Sequence, residues 1–189
     1  TVQDIADQKA AAGALRENQL LLQLVINSTP DWIFIKDRQH RYQLVNQAYG
    51  QSLGLAPDQV LGQDDLELGF TEASVKGDPV RGDRGFWADD DEVLASGQLK
   101  LIPVEPAYLH GRAMYLSTVK VPLKTAAGET WGVLGFVHDV TERITAEQAL
   151  RDQEAQYRAA VETATDGFGL LDSAGRFLEV NDALVQLTG

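Results

Sequence analysis

The sequence predicts an α+β fold in which antiparallel strands lie between two long flanking helices. Hairpin patterns, each made of β-rich or alternating runs around a polar turn, occur in residues 32–45 and again in residues 99–140. Helix-favouring stretches occupy residues 2–28 and 142–163. Because strands do not alternate regularly with helices along the chain, a parallel α/β sheet is not expected.

Composition narrows the class of protein further. The chain has 189 residues, of which 44% are hydrophobic and 23% are charged, as in a globular protein with a core. Its formal net charge of −12 argues against nucleic acid and against an anionic membrane surface. The absence of cysteine excludes disulfides and thiolate chemistry.

The longest apolar run, residues 131–137, is far shorter than the roughly 20 residues of a membrane span. We therefore expect a cytoplasmic protein without direct membrane insertion, and the initial Thr1 indicates a fragment of a longer one.

Residues 1–28 are predicted to form a coiled-coil-like helix. Good helix formers dominate this stretch, and Pro30 ends it. Leu15 and Leu22 are seven residues apart, and Val25 and further leucines widen the apolar stripe. A small sheet can cover only part of such a stripe. Leu15, Leu22 and Val25 are therefore candidate residues of a homodimer interface.

The first hairpin is predicted from residues 32–35 and 41–45, which flank a polar turn. Asn46 is then expected to begin a short helix that ends at Gly54. A second short helix is expected to follow Pro57, which is favoured in a first helical turn.

The middle of the chain is less regular. Residues 62–85 are polar and irregular, and residues 86–96 read as a helix closed by Gly97. Three predicted strands follow, at residues 99–104, 113–123 and 130–140. Residues 142–163 are predicted to form a connector helix with Thr141 as its N-cap. Its apolar stripe is thin, so this helix is either an exposed connector or a weak coiled-coil seam.

The chain also contains an internal repeat. Residues 31–54, shifted by 135 positions, align without a gap on residues 166–189, with 8 identities in 24. Most other aligned pairs keep the apolar or polar class, as Tyr42 and Phe177 do. We interpret residues 164–189 as the truncated start of a second copy of the preceding domain.

Several motifs resemble the PAS domain family. They are WIFIKD at 32–37 followed by YQLVN at 42–46, LG at 61–62, EVLASG at 92–97 and GVLGFVHDVTER at 132–143. The resemblance covers residues 25–143 and restarts near residue 157. It implies a PAS domain over residues 29–141, built as a five-stranded antiparallel sheet with helices on one face. Members of the family sense a ligand or cofactor, or mediate dimerisation, upstream of a histidine kinase, a diguanylate cyclase or a similar output domain.

The resemblance also assigns a role to the end of the last strand. The family's exit motif falls on Asp139, Thr141, Glu142 and Arg143. By resemblance, Asp139 and Thr141 anchor the junction between the sheet and the next helix, which Glu142 and Arg143 open. Threonine is also a favoured N-cap residue in any helix. Thr141 can therefore serve both as a plain helix cap and as an anchor of the junction.

Strand alternation identifies residues that could line a ligand pocket. Alternation alone does not say which face of residues 113–123 points inward; the resemblance places Tyr115 and Ser117 there. The candidate pocket residues are Phe34, Lys36, Tyr115, Ser117 and Val137. Alternatively, Tyr115 and Ser117 are hydrogen-bonded core residues and the Lys36 side chain extends to solvent.

Cofactors and metals are only partly constrained. Covalent flavin attachment in the family uses a cysteine, and haem-binding members place a histidine on the long helix; this chain has neither. We expect neither of these groups, whereas non-covalent flavin or a small organic ligand stays open. His40, His110 and His138 lack the spacing of a metal site and are expected to be solvent-facing or structural. The acidic runs at 64–67 and 89–92 are interpreted as solvated surface, because they lack the pattern of a calcium loop.

The leading hypothesis is a sensory and dimerisation module of a multidomain signalling protein, with its output domain in the same chain. A ligand-free domain that only dimerises and spaces its neighbours is the alternative. An enzyme is not expected: GQSLG at 50–54 matches a nucleophile motif but lacks the strand before it and the large α/β sheet around it.

Overall fold

The computed structural model describes residues 2–80 and 82–188, so Thr1, Arg81 and Gly189 lie outside the described residues. The chain divides into two compact units, with the boundary between Thr141 and Glu142. None of the described helices combines the length and apolar character needed to cross a membrane.

The first unit begins with the long helix α1 (Val2–Asn27). The side chains of Leu15, Leu22 and Val25 are 60%, 64% and 59% exposed. The last turn of α1 is fixed to the rest of the unit, because Ile26 O accepts a hydrogen bond from the Asn46 side chain. The apolar stripe of α1 is thus available to a partner along its described length.

A five-stranded sheet follows α1. Its strands are β1 (Trp32–Asp37), β2 (Tyr42–Val45), β3 (Lys100–Leu109), β4 (Arg112–Lys124) and β5 (Thr130–Asp139). The strand order is β2-β1-β5-β4-β3, and every neighbouring pair is antiparallel. Between β2 and β3 the described residues form α2 (Gln47–Leu53), α3 (Pro57–Val60), α4 (Glu72–Lys76) and α5 (Phe86–Ser96). The predicted α+β fold, a five-stranded antiparallel sheet with helices on one face, is confirmed.

Asn46 joins three elements at the start of the domain. Its Oδ1 accepts hydrogen bonds from Ile33 N (3.0 Å) and Tyr49 N (3.1 Å), and so caps α2 as predicted. Its Nδ2 donates to Ile26 O (2.8 Å) and Asp31 O (2.9 Å). The side chain is 1% exposed, so these bonds replace its contacts with water.

The inward face of β4 is the opposite of the one expected. Met114, Leu116, Thr118 and Lys120 are buried, whereas Tyr115 is 38% exposed and Ser117 is partly exposed. The reason is the pairing register: Thr118 lies opposite Val137, a core residue of β5, and directly paired residues share a face of the sheet. The prediction that Tyr115 and Ser117 point inward is therefore wrong.

Two other local differences arise around β3. The strand continues to Leu109, five residues beyond the predicted end, although it contains Pro103 and Pro106. It is an edge strand, where a proline without an N–H group is tolerated, and its register shifts between Ile102 and Glu105. The short helix α4 lies in the stretch expected to be irregular, with Thr71 as its N-cap.

The second unit repeats the beginning of the first. It contains α6 (Thr141–Thr163), β6 (Gly169–Leu171), β7 (Phe177–Val180) and α7 (Asp182–Thr188), and β6 and β7 form an antiparallel hairpin.

Asn181 makes in the second unit the bonds that Asn46 makes in the first. It accepts from the amides of Phe168 and Leu184 and donates to the carbonyls of Val161 and Asp166. Each of these four partners lies 135 residues after the corresponding partner of Asn46. The repeat found in the sequence therefore extends to the hydrogen bonds that join helix, strand and short helix.

Candidate functional site

Two lysines lie inside the first unit. Lys36 of β1 is 1% exposed and Lys120 of β4 is 2% exposed. Strand alternation places each on the inward face, beside apolar neighbours such as Phe34 and Leu116. A buried ammonium group must be paired and hydrogen-bonded, so partners are required within the core.

Asp65 is the main partner of Lys36. Lys36 Nζ lies 2.8 and 2.6 Å from the two carboxylate oxygens of Asp65, and 3.3 Å from Asp90 Oδ2. Burial by itself would lower the pKa of Lys36, but the charges of Asp65 and Asp90 outweigh it and raise that pKa. The lysine therefore stays charged in the core.

Asp90 bridges the two lysines. Its Oδ1 lies 2.6 Å from Lys120 Nζ, in an ion pair without the geometry of a directed hydrogen bond. Lys120 Nζ also donates to Phe86 O at 2.8 Å, at the start of α5. Burial would raise the pKa of Asp90, but Lys120 and Lys36 hold it well below its ordinary range. The four groups form a charge-balanced network of two cations and two anions.

The interpretation of both acidic runs as solvated surface is wrong for their central members. Asp65 and Asp90 are each 1% exposed, and Asp89 is 7% exposed. On α5 the successive residues point in different directions, so Asp90 faces the core while Asp91 is exposed. The fold places a lysine of the sheet within ion-pair distance of Asp65 and of Asp90, and the attraction offsets part of the cost of burying these acids.

Three aromatic side chains extend the network. Tyr42 OH donates to Asp65 Oδ1 (2.7 Å) and lies 2.6 Å from Tyr49 OH. Trp87 Nε1 donates to Asp65 Oδ2 at 2.8 Å. Burial, together with the charge of Asp65, raises the pKa values of Tyr42 and Tyr49 well above their ordinary range. The two hydroxyls therefore act as neutral hydrogen-bonding groups.

A small cavity lies against this network. Its volume is about 30 Å³, which is space for roughly one or two water molecules, whereas pockets for organic ligands are typically about 300–1,000 Å³. Its walls include Phe34, Lys36, Glu105, Leu116, Lys120 and Val137. Of the candidate pocket residues, the structure thus brings Phe34, Lys36 and Val137 to the cavity. Tyr115 and Ser117 lie on the other face of β4.

Glu105 and Phe86 separate this cavity from an outer cleft. Both residues also line a cleft of about 830 Å³ between β3 and the segment before α5. A Glu105 carboxylate oxygen accepts a short hydrogen bond from the Thr118 hydroxyl. Burial raises the pKa of Glu105, and the nearby Lys120 offsets this only in part. This carboxyl is the least compensated acid of the site.

The residues of the exit motif form a junction between two strands. Asp139 Oδ1 accepts from Thr141 N, and Thr141 Oγ1 accepts from Tyr115 N, both at 2.9 Å. Val140 N donates to Tyr115 O at 2.9 Å. Arg143 forms an ion pair with Glu147 one turn further along α6, and Glu142 lies in the helix's first turn. The outward residue Tyr115 thus contributes its backbone to the junction.

Lys120, Asp65, Asp90 and Glu105 were not identified from the sequence. The sequence does contain a signal for Lys120, because this charged residue lies between Val119 and Val121 in the middle of a predicted strand. For Asp65 and Asp90 no local pattern existed, since their lysine partners are 29 to 54 residues away along the chain. The hydrogen-bond partner of Glu105, Thr118, is 13 residues away. Among the described residues, no group of three or more histidine, aspartate or glutamate side chains could hold a metal ion.

Comparison with known proteins identifies the family. A family described as "PAS fold" matches residues 26–145, and one described as "PAS domain" matches residues 155–189. The chain belongs to the PAS family, and the two matches fall mainly in the first unit and within the second unit, respectively.

The curated relatives are much longer proteins. The chain is 30% identical over 156 residues to the virulence sensor protein BvgS of Bordetella parapertussis, covering 82% of this chain and 12% of BvgS. It is 28% identical over 118 residues to the methanogenesis regulatory histidine kinase FilI of Methanothrix harundinacea, covering 62% of this chain and 12% of FilI. The chain therefore spans about an eighth of the length of these relatives.

Solved structures agree with the fold. The PAS domain of a protein from Colwellia psychrerythraea superposes with a TM-score of 0.51 at 14% identity, covering 68% of this chain and 98% of that domain. This likeness concerns the fold alone.

Proposed function

We propose that the first unit is a sensory PAS module of a multidomain signalling protein. In this proposal, a ligand that occupies the core cavity changes the sheet, and this change passes through the exit motif into α6. The similarity to a virulence sensor protein and to a regulatory histidine kinase supports the signalling role. The proposal places the unit in the cytoplasm, upstream of an output domain such as a histidine kinase in the same chain.

The observation that carries the proposal is the short path from the cavity to the exit motif. Leu116 and Val137 line the cavity. Leu116 follows Tyr115, whose backbone amide is hydrogen-bonded to Thr141, and Val137 precedes Asp139 by two residues. Thr141, the first residue of α6, is therefore one residue and one hydrogen bond from Leu116, and two residues and one hydrogen bond from Val137.

The network also restricts the class of ligand. The two lysines are each balanced by a buried carboxylate, so neither is an unpaired cation for an anionic ligand. A small neutral molecule that can hydrogen-bond fits this wall better. The cavity would have to widen to hold more than about two waters, and Glu105 and Phe86 stand where it would open toward the outer cleft.

Native mass spectrometry of the purified chain, with an absorbance scan of the same sample, tests for such a ligand. The proposal expects an added non-covalent mass that is lost in Leu116→Phe, which fills the cavity, and kept in Tyr115→Phe on the outward face. An added mass that survives Leu116→Phe would contradict a ligand in this cavity.

A ligand-free module is the second candidate, and the small cavity volume favours it. In that case the domain sets the geometry of a dimer formed through Leu15, Leu22 and Val25 of α1. Both purified variants and the unmodified chain would then show the bare polypeptide mass, as a dimer.

A further inference from the structure

His40 occupies an unusual position at the tip of the β1–β2 turn. Its backbone φ is 60°, in the left-handed region where, glycine apart, asparagine, aspartate and histidine are enriched. Its ring stacks on Trp87 of α5, with centroids 4.8 Å apart and an interplanar angle of 9°. The side chain is only 14% exposed. The imidazole is thus held flat against α5 and away from bulk water.

Each ring nitrogen faces a carboxylate of α5. Nδ1 lies 3.6 Å from Asp90 Oδ2, and it is buried without a hydrogen-bond partner. Nε2 lies 3.4 Å from Asp91 Oδ1, on a side chain that is 65% exposed. A neutral ring carries a single N–H and can donate to one of these acids, whereas an imidazolium donates from both nitrogens.

The charged groups around His40 determine how a protonated ring would be balanced. From α5, Asp90 and Asp91 face the ring, and Trp87 covers it. Asp90 is shared with Lys36 of β1 and Lys120 of β4, while Asp65 pairs with Lys36.

The acid of the β1–β2 turn itself, Asp37, already has hydrogen-bond partners. The Asp37 carboxylate accepts from the amides of Gln39 and Arg41 and from the Gln43 side chain. With the four-group network balanced, Asp91 is the anion left to balance a positive His40.

We propose that His40 is a proton-binding site that connects external pH to the buried charge network. On protonation, Nδ1–H donates to Asp90 Oδ2, which Lys36 now contacts at 3.3 Å, and Nε2–H donates to Asp91. The proton comes from solvent and adds to the ring without a covalent change elsewhere. Asp90 is then shared among three cations, and the β1–β2 turn is tied to α5.

The inference is independent of the proposed ligand function. It concerns the outer end of the network, so it can hold whether or not the cavity takes a ligand.

Nuclear magnetic resonance of the full chain between pH 5 and 8 tests it. The side-chain ammonium of Lys120 reports on the network, because it pairs with Asp90 Oδ1, whereas His40 faces the other oxygen, Oδ2. We expect this signal to shift with the same midpoint as the His40 ring. His40→Asn, which suits the positive φ, should abolish the shift.

His110→Asn is the matched control. His110 also has a positive φ, 47°, but it is exposed at the β3–β4 turn, so this variant should keep the shift of the Lys120 signal. A second variant, Asp91→Asn, removes an exposed partner with little risk to folding and should move the midpoint to lower pH. A Lys120 signal that is constant across the range, or one that still shifts in His40→Asn, would overturn the proposal.

Discussion

At the scale of single residues, the site depends on charges that the core can hold only as a set. Lys36, Lys120, Asp65 and Asp90 are each 1–2% exposed. Replacing a whole buried network by apolar residues is often neutral, but removing one partner leaves an uncompensated charge. The network is therefore most sensitive at Asp90, which contacts both lysines.

Asp90→Asn is expected to lower the free energy of unfolding by about 3–5 kcal/mol at pH 7. Since the pKa of Asp90 is depressed in the folded state, its stabilising contribution is complete above the unfolded-state value of about 3.9 and is lost as the pH falls below it. Urea denaturation from pH 7 to pH 2.5 should show the wild-type and Asp90→Asn curves converging at low pH.

The neighbouring Asp91→Asn serves as the control for that experiment. Its side chain is 65% exposed, so a change of about 0.5 kcal/mol or less is expected at pH 7. Equal losses in the two variants would show that burial of Asp90 is not the cause.

Glu105 gives the opposite dependence on pH. Its pKa is raised in the folded state, so its contribution is most favourable at low pH and is lost as the pH rises through the folded-state pKa. Relative to wild type, Glu105→Gln should therefore gain stability as the pH rises above the ordinary glutamate pKa of about 4.3. Glu129→Gln, in the exposed β4–β5 turn, should leave the profile unchanged. A constant difference between Glu105→Gln and wild type over this range would argue against a buried, uncompensated carboxyl.

At the scale of elements, Asn46 and Asn181 hold equivalent junctions in the two units. Asn46→Ala should cost at least about 1–2 kcal/mol through loss of the helix cap, and should speed amide exchange at Ile33 and Tyr49, which lose their acceptor. Asn181→Ala should do the same at Phe168 and leave the first unit unaffected. Hydrogen exchange read residue by residue distinguishes these outcomes from a general loss of stability.

Local patterns predicted most elements because their causes are local. Asn46, Gly54 and Gly97 mark helix ends by capping and left-handed geometry, which a few residues determine. The inward face of β4 could not be predicted in this way, since it depends on which residue pairs with Val137. The burial of Asp65 and Asp90 likewise depends on lysines brought near only by the folded sheet.

At the scale of the whole molecule, α1 presents an apolar stripe whose partner would be a second copy of the chain. Leu15→Ser with Leu22→Ser should convert a dimer to a monomer in light scattering after size exclusion. Asn18→Ser with Gln19→Ser, on the same exposed helix, is the control and should keep the dimer. A double leucine variant that stays dimeric would place the interface elsewhere.

The central claim is that a change in the core cavity reaches α6 through the exit motif. The most direct test is amide hydrogen exchange over residues 142–147 in the full chain, compared between wild type and Leu116→Phe. We predict altered exchange in Leu116→Phe, no alteration in Tyr115→Phe, and loss of the effect when Thr141→Val removes the hydroxyl that accepts from Tyr115 N. Unaltered exchange in Leu116→Phe, or an alteration that persists with Thr141→Val, would contradict it.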